Sequence, residues 1–182
     1  SKTAYVEGGS HLGDLDHETM AQGLVTTSGT VSHTGVGGLT LGGGFGRVGR
    51  RFGLSLDNVK AVDIVTSDGQ LRRASANENP DLYWGVRGGG GNFGVVTNFE
   101  FDLHPMQRSV IGGNVIFPIS KAREVLKVYA EFSATAPDEL YTDFVMLHPP
   151  EGGGPVALIN ICYSGDASKA DKVLAPLKKL GE

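Results

Sequence analysis

Gly35-Val36-Gly37-Gly38-Leu39-Thr40-Leu41-Gly42-Gly43-Gly44-Phe45-Gly46 is the stretch that orders the rest of the chain. Its seven glycines leave too little side chain to build a core. Each glycine costs backbone entropy on folding that a larger residue would not. Such a run is kept where backbone must come close to something large. Bare successive N–H groups and turns with positive φ also make concavities that take anions, phosphate above all. Gly88-Gly89-Gly90-Gly91-Asn92-Phe93-Gly94 repeats the theme. Two such runs in one small chain predict a single extended ligand touched twice.

The 182 residues suffice for one domain with a packed core, or for parts of two. Glycine contributes 28 of them, about twice its ordinary share. Net charge is -4, and basic residues gather only at Arg47, Arg50 and Arg51. Nucleic-acid binding wants a basic face, so no such partner is expected. No apolar run approaches the ~18–20 residues of a membrane span, so no membrane partner is expected either. Cys162 is the single cysteine and allows neither an internal disulfide nor a cysteine metal site. No leader-like segment and no Asn-x-Ser/Thr acceptor is visible, which points to the cytoplasm. The chain nevertheless runs at once into a strand-like segment, as a piece of a longer protein would.

Working outward, Thr3 to Glu7 reads as a strand and Leu12 to Gln22 as a helix stopped by Gly23. Leu24 to Thr27 is extended, the glycine run reads as a loop, and Arg47 to Phe52 adds a helical turn. Val59 to Thr66 and Gln70 to Ala74, joined by Ser67-Asp68-Gly69, predict a hairpin. Asn79-Pro80-Asp81 opens a short helix through Trp84. Val95 to Leu103 alternates Val96, Asn98, Glu100 and Asp102 against Val95, Thr97, Phe99 and Phe101, which predicts a strand with one buried face. His104-Pro105 breaks the pattern and glycine thins out, so a boundary is placed near Arg108, between domains 1–107 and 108–182. Beyond it the order is strand (Val110 to Phe117), helix (capped by Ser120, through Phe132), strand (Leu140 to Leu147), strand (Val156 to Tyr163) and helix (Ser168 to Leu177).

Several motifs compete. Gly44-Phe45-Gly46-Arg47-Val48-Gly49 and Gly89-Gly90-Gly91-Asn92-Phe93-Gly94 both fit the dinucleotide fingerprint G-x-G-x-x-G. That fingerprint needs a strand before it and a helix after it. More glycines precede the first match, and Gly53 cuts short any helix after it; a strand comes after the second. Ser32-His33 invites a hydrolase reading, but no G-x-S-x-G elbow exists. His11 and His17 fall in the first helix as surface residues, His104 at a strand end and His148 in a loop. Trp84 and Phe93 read as core aromatics, and Cys162 as a buried inert thiol. No metal site is expected.

The blocks Gly35 to Gly46, Phe52-Gly53-Leu54-Ser55-Leu56-Asp57-Asn58-Val59, Asp63 to Gly69 and Asn79 to Thr97 stand in a specific order and spacing. Together they resemble the FAD-linked oxidases of the berberine bridge enzyme type, in the vanillyl-alcohol oxidase superfamily with its PCMH-type FAD-binding domain. The resemblance runs through Pro155 to Tyr163 and Ala175-Pro176-Leu177. It implies an α+β fold: the second subdomain of the FAD-binding domain over 1–107, then the beginning of a substrate-binding domain with an antiparallel sheet over 108–182. It implies FAD as cofactor and a small-molecule substrate, oxidised by hydride transfer to FAD with reoxidation by oxygen.

The resemblance further implies cofactor contacts at Val31, Ser32, Thr34, Gly35, Gly37, Gly38, Gly42, Phe45, Gly46, Gly94 and Val96. The glycine run would lie along the pyrophosphate and flavin, and Val95 and Val96 along the adenine side. Some members link the flavin through a cysteine just before the glycine run; Val31 stands there, which excludes that link. The family's flavin-linking histidine and catalytic base fall outside this sequence, so no catalytic residue is assigned. By itself the chain is then expected to be inactive and to bind FAD weakly. Valine at Gly42 or Gly43 is expected to abolish flavin incorporation. Truncated sheet edges predict self-association. The competing reading is a nucleotide-binding or structural module without chemistry of its own.

Overall fold

The computed structural model describes residues 2–180 and divides into two compact units, Ser1–Arg108 and Ser109–Glu182. The first is built on a four-stranded antiparallel sheet in the order β1-β5-β3-β4. Its strands are β1 (Thr3–Glu7), β3 (Val59–Val65), β4 (Leu71–Ser75) and β5 (Val95–Asp102). A small antiparallel ribbon joins β2 (Leu24–Val25) to β6 (His104–Pro105). The helices are α1 (Leu12–Ala21), α2 (Val36–Leu41), α3 (Gly49–Phe52) and α4 (Pro80–Val86).

One face of the sheet is apolar and covered. Val6, Val62, Ile64, Ala74, Phe99 and Phe101 pack there with Leu12 and Leu15 of α1, Val36 of α2 and Val86 of α4. Phe99 and Phe101 stack with ring centroids 5.6 Å apart. The other face carries charge: Arg73 pairs with Glu100 and Asp63, and Lys60 reaches Asp102 at 3.5 Å. Such exposed pairs contribute little singly, but they make the two faces chemically unlike and so fix the register.

Three elements differ from the sequence reading for identifiable reasons. The glycine run is not all loop, because its middle closes into α2. The apolar Val36, Leu39 and Leu41 supply a packing face that the glycine count hides. In β5 the alternation shifts: Val96 is buried, whereas Val95 is 70% exposed. A bulge is the cause, since Asp63 faces Asn98 while Ile64 faces Val96, skipping Thr97. Trp84 (77% exposed) and Phe93 (39%) are not core residues of this chain.

The second unit is a three-stranded antiparallel sheet, β7-β9-β8, of β7 (Ile111–Pro118), β8 (Leu140–Leu147) and β9 (Val156–Tyr163). With α5 (Ala122–Ser133) and α6 (Ala170–Lys178) it encloses a core of Phe117, Val125, Leu140, Ile159, Leu174 and Leu177. Ser120 does not cap α5; it lies in a 3-10 turn, Ile119–Lys121, that leads into the helix. Cys162 is buried in β9. Among the described residues no helix is long and apolar enough to cross a membrane, and no cluster could hold a metal ion.

Candidate functional site

The segment before α2 is laid down on α1. Leu12 N–H donates to Thr34 O (2.9 Å), Gly13 N–H to Ser32 O (2.8 Å), and Val36 N–H to Ser10 O (2.9 Å). His11, which caps α1 rather than lying within it, bridges to Gly35, and its N–H is held by Asp14 Oδ2 (3.2 Å). Docked this way, Val31, Ser32 and Gly35 remain exposed. Gly38 comes next as an exposed position inside α2.

The far end of α2 turns back through Gly43 (φ +116°) and Gly44 (φ +73°), a path that glycine alone takes without strain. Leu56 N–H donates to Gly43 O (3.0 Å) and Ser55 N–H to Gly44 O (2.7 Å). The two glycine runs meet here, because Gly88 N–H donates to Leu41 O at 3.1 Å. Phe45 projects 68% exposed just beyond the turn.

The glycines expected to contact a ligand divide into two kinds. A Cβ on Gly37 would stand 2.7 Å from Gly8 O, one on Gly46 would collide with Ser28 O, and one on Gly94 with Val65 O. The fold itself requires these three. At Gly35 and Gly38 a Cβ would meet nothing within 4 Å. Gly42, which ends α2 with φ −87°, would place a Cβ 3.4 Å from Gly38 O. Valine at Gly42 therefore needs no forbidden φ, whereas at Gly43 it does.

Two further glycines belong with these, though no motif in the sequence singles them out. Gly8 and Gly9 come directly after β1 and, with Val95 and Val96, line a cavity of about 370 Å³. Gly9 also has nothing within 4 Å of a would-be Cβ. A glycine pair at a strand end was a readable signal, masked by richer runs. Val96 contributes its side chain to the core while lining this cavity.

A larger cavity, about 690 Å³, lies among α1, β2 and the residues after the glycine run, with Asp16, Thr26, Ser28, Thr30 and Arg47 on its wall. Burial pushes the Asp16 carboxyl up, and the Ser28 hydroxyl, donating at 2.8 Å, partly offsets that. Thr26 Oγ1 is buried there without a partner among the described residues.

The model of an FAD binding domain matches residues 1–75. An FAD-linked oxidoreductase of Dictyostelium discoideum is 41% identical over 162 residues, 88% of this chain and 35% of that protein. Crystalline 6-hydroxy-D-nicotine oxidase from Arthrobacter nicotinovorans superposes with TM-score 0.87 at 29% identity, covering 97% of this chain and 39% of that one. BBE-like 1 of Physcomitrella patens gives TM-score 0.87 and 29% identity over 96% of this chain and 37% of its own. Fold and sequence thus define an FAD-binding α+β domain, with FAD as its cofactor. More particularly, the chain is a homologue of the FAD-linked oxidases of the berberine bridge enzyme type. It spans between a third and two fifths of the length of these relatives.

The residues present fit that cofactor. Gly35, Gly38 and Gly9 leave backbone bare where the fold has no need of it. Exposed Val31 (45%) and Phe45 offer apolar contact at either end of the run. Flat ring systems and phosphates are bound by this combination of apolar flank and bare backbone.

Proposed function

We propose that the protein carrying this chain is a flavin-dependent oxidoreductase acting on a small organic substrate. Residues 1–107 are read as the C-terminal subdomain of its FAD-binding domain, and 108–182 as the beginning of its substrate-binding domain. FAD, when bound, supplies the redox chemistry, taking a hydride from the substrate with oxygen as final acceptor. The chain's own part is to hold and shield the cofactor. Val31, Ser32, Thr34, Gly35, Gly38, Gly42 and Phe45 are assigned direct contact. Gly37, Gly46 and Gly94 shape the surface from behind, and Val96 reaches it through its backbone beside Gly8 and Gly9.

The observation that carries this reading is the pair Gly35 and Gly38. An interior helical glycine costs about 0.5–1 kcal/mol relative to alanine. Open space lies beside Gly38, so the fold gains nothing in return. A ligand seated against the backbone gives the missing reason. Similarity to 6-hydroxy-D-nicotine oxidase supports a small-molecule substrate.

The test is colour. Protein expressed from the full reading frame around this chain should purify yellow, with flavin absorbance in the visible and FAD released or covalently retained on denaturation. Colourless protein that takes up no flavin would sink the reading and leave a structural or other nucleotide-binding module.

A further inference from the structure

The glycine turn that ends α2 does not hold itself. Gly43 O and Gly44 O accept their hydrogen bonds from Leu56 and Ser55, and Thr40 Oγ1 lies 3.0 Å from Ser55 Oγ. The segment from Phe52 to Asn58 is therefore a bracket for the turn. The question becomes what makes the bracket rigid, for it contains a left-handed glycine, Gly53, and only one 3-10 turn, Leu56–Asn58.

Asn58 answers it. Its side chain is buried, with 3% of the residue exposed. Nδ2 donates to Phe52 O (2.9 Å) and to Leu54 O (2.7 Å), drawing the bracket's two arms together. Both amide hydrogens are then used, so Oδ1 must act as acceptor. It lies 2.6 Å from His104 Nε2, which must carry the proton of that bond. His104 in turn stacks on Phe52, rings 4.3 Å apart and 5° from parallel, and is fixed in β6 opposite Val25. Thr27 Oγ1 adds a strut to Gly53 O at 2.8 Å. The β2–β6 ribbon, the bracket and the glycine turn thus form one connected unit, with Asn58 at its centre. Leu56 extends it to the second run, its Cδ2 standing 3.6 Å from where a Cβ on Gly88 would be.

We propose that Asn58 and His104 are positioning residues for the cofactor cradle, setting the glycine turn, and through it the exposed strip, at the height the flavin cofactor needs. The proposal rests on the flavin reading above. Loss of Asn58 leaves two carbonyls without their donors and frees the bracket, whereas loss of the His104 bond alone loosens one side of it.

The test compares FAD affinity with stability in the full-length protein, by fluorescence titration of apoprotein with FAD alongside thermal melting. Asn58→Ala, which removes all three of these hydrogen bonds, should weaken FAD binding at least tenfold. His104→Phe keeps the stack on Phe52 and loses only the bond, and should weaken binding by a smaller factor of about three to ten. Ile64→Val, in the β3 core, is the control: it lowers the melting temperature while leaving FAD affinity unchanged. Affinity that tracks melting temperature on one line through all three variants would overturn the proposal, as would unchanged affinity in both bracket variants. If Asn58→Ala does not fold, His104→Phe against the control decides. Wild-type protein that binds no FAD would defeat the flavin reading itself, a result distinct from these.

Discussion

Gly38→Ala sets the interests of the fold against those of the ligand. Gly38 is exposed in the interior of α2, with nothing within 4 Å of a would-be Cβ. Alanine there restricts the unfolded chain and introduces no clash, a gain of about 0.5–1 kcal/mol. In a protein of roughly 150–250 residues each kcal/mol moves the melting temperature by about 2–4 °C. The apoprotein should therefore melt slightly higher than wild type. Flavin binding should move the other way if the cofactor is seated as proposed, because the methyl group then occupies the space assigned to it. A loss of about tenfold or more in FAD affinity, some 1.4 kcal/mol, is expected. Differential scanning fluorimetry of the apo form and flavin absorbance per chain read the two effects separately. A variant that melts higher and binds flavin as well as wild type would show that no ligand rests on Gly38.

Gly46→Ala should behave oppositely: its Cβ would collide with Ser28 O, so the chain should lose its cooperative melt whether or not flavin is added. Asp16→Asn bears on pH. Burial raises the Asp16 pKa, so this residue's contribution is present below its unfolded value and lost as pH rises through the folded one; the variant should melt higher than wild type near neutrality, with the margin vanishing below about pH 4. Asp68 works the other way: hydrogen bonds from Thr66 first, then Arg72 and Gln70, hold it down to about 2, so what it gives the β3–β4 hairpin is present above the ordinary carboxylate value and fades as pH falls toward 2, and an NMR titration placing its carboxyl near 4 would refute this. The outer strands β1 and β4 of one sheet and β7 and β8 of the other offer edges for pairing, so the 182-residue chain alone should self-associate at low micromolar concentration; sedimentation as a 19.1 kDa monomer would count against it.

The range of the forces involved decides which features a sequence discloses and which it hides. The hairpin at Ser67-Asp68-Gly69, the strands Leu140–Leu147 and Val156–Tyr163 and the approximate extent of α1 are set by local turn chemistry and periodicity, and these were legible. The α2 helix was not, because glycine's weak propensity conceals a helix stabilised by tertiary packing of Val36 and Leu39. The shift in β5 was not, because a bulge at Thr97 depends on how β3 pairs with it. The same division runs through the candidate site. Glycine identity showed where backbone is bare, but not why. Gly37, Gly46 and Gly94 are small because Gly8, Ser28 and Val65 press against them, contacts that span the unit. Gly35 and Gly38 face open space. On the flavin reading proposed above, a run of identical letters carries two unrelated demands, one from the fold and one from outside it. Only the positions of neighbouring backbone atoms tell them apart. Asn58 carries the same lesson in reverse: in sequence it is one polar residue before a strand, and its meaning lies in three partners, the farthest of them 46 residues away at His104.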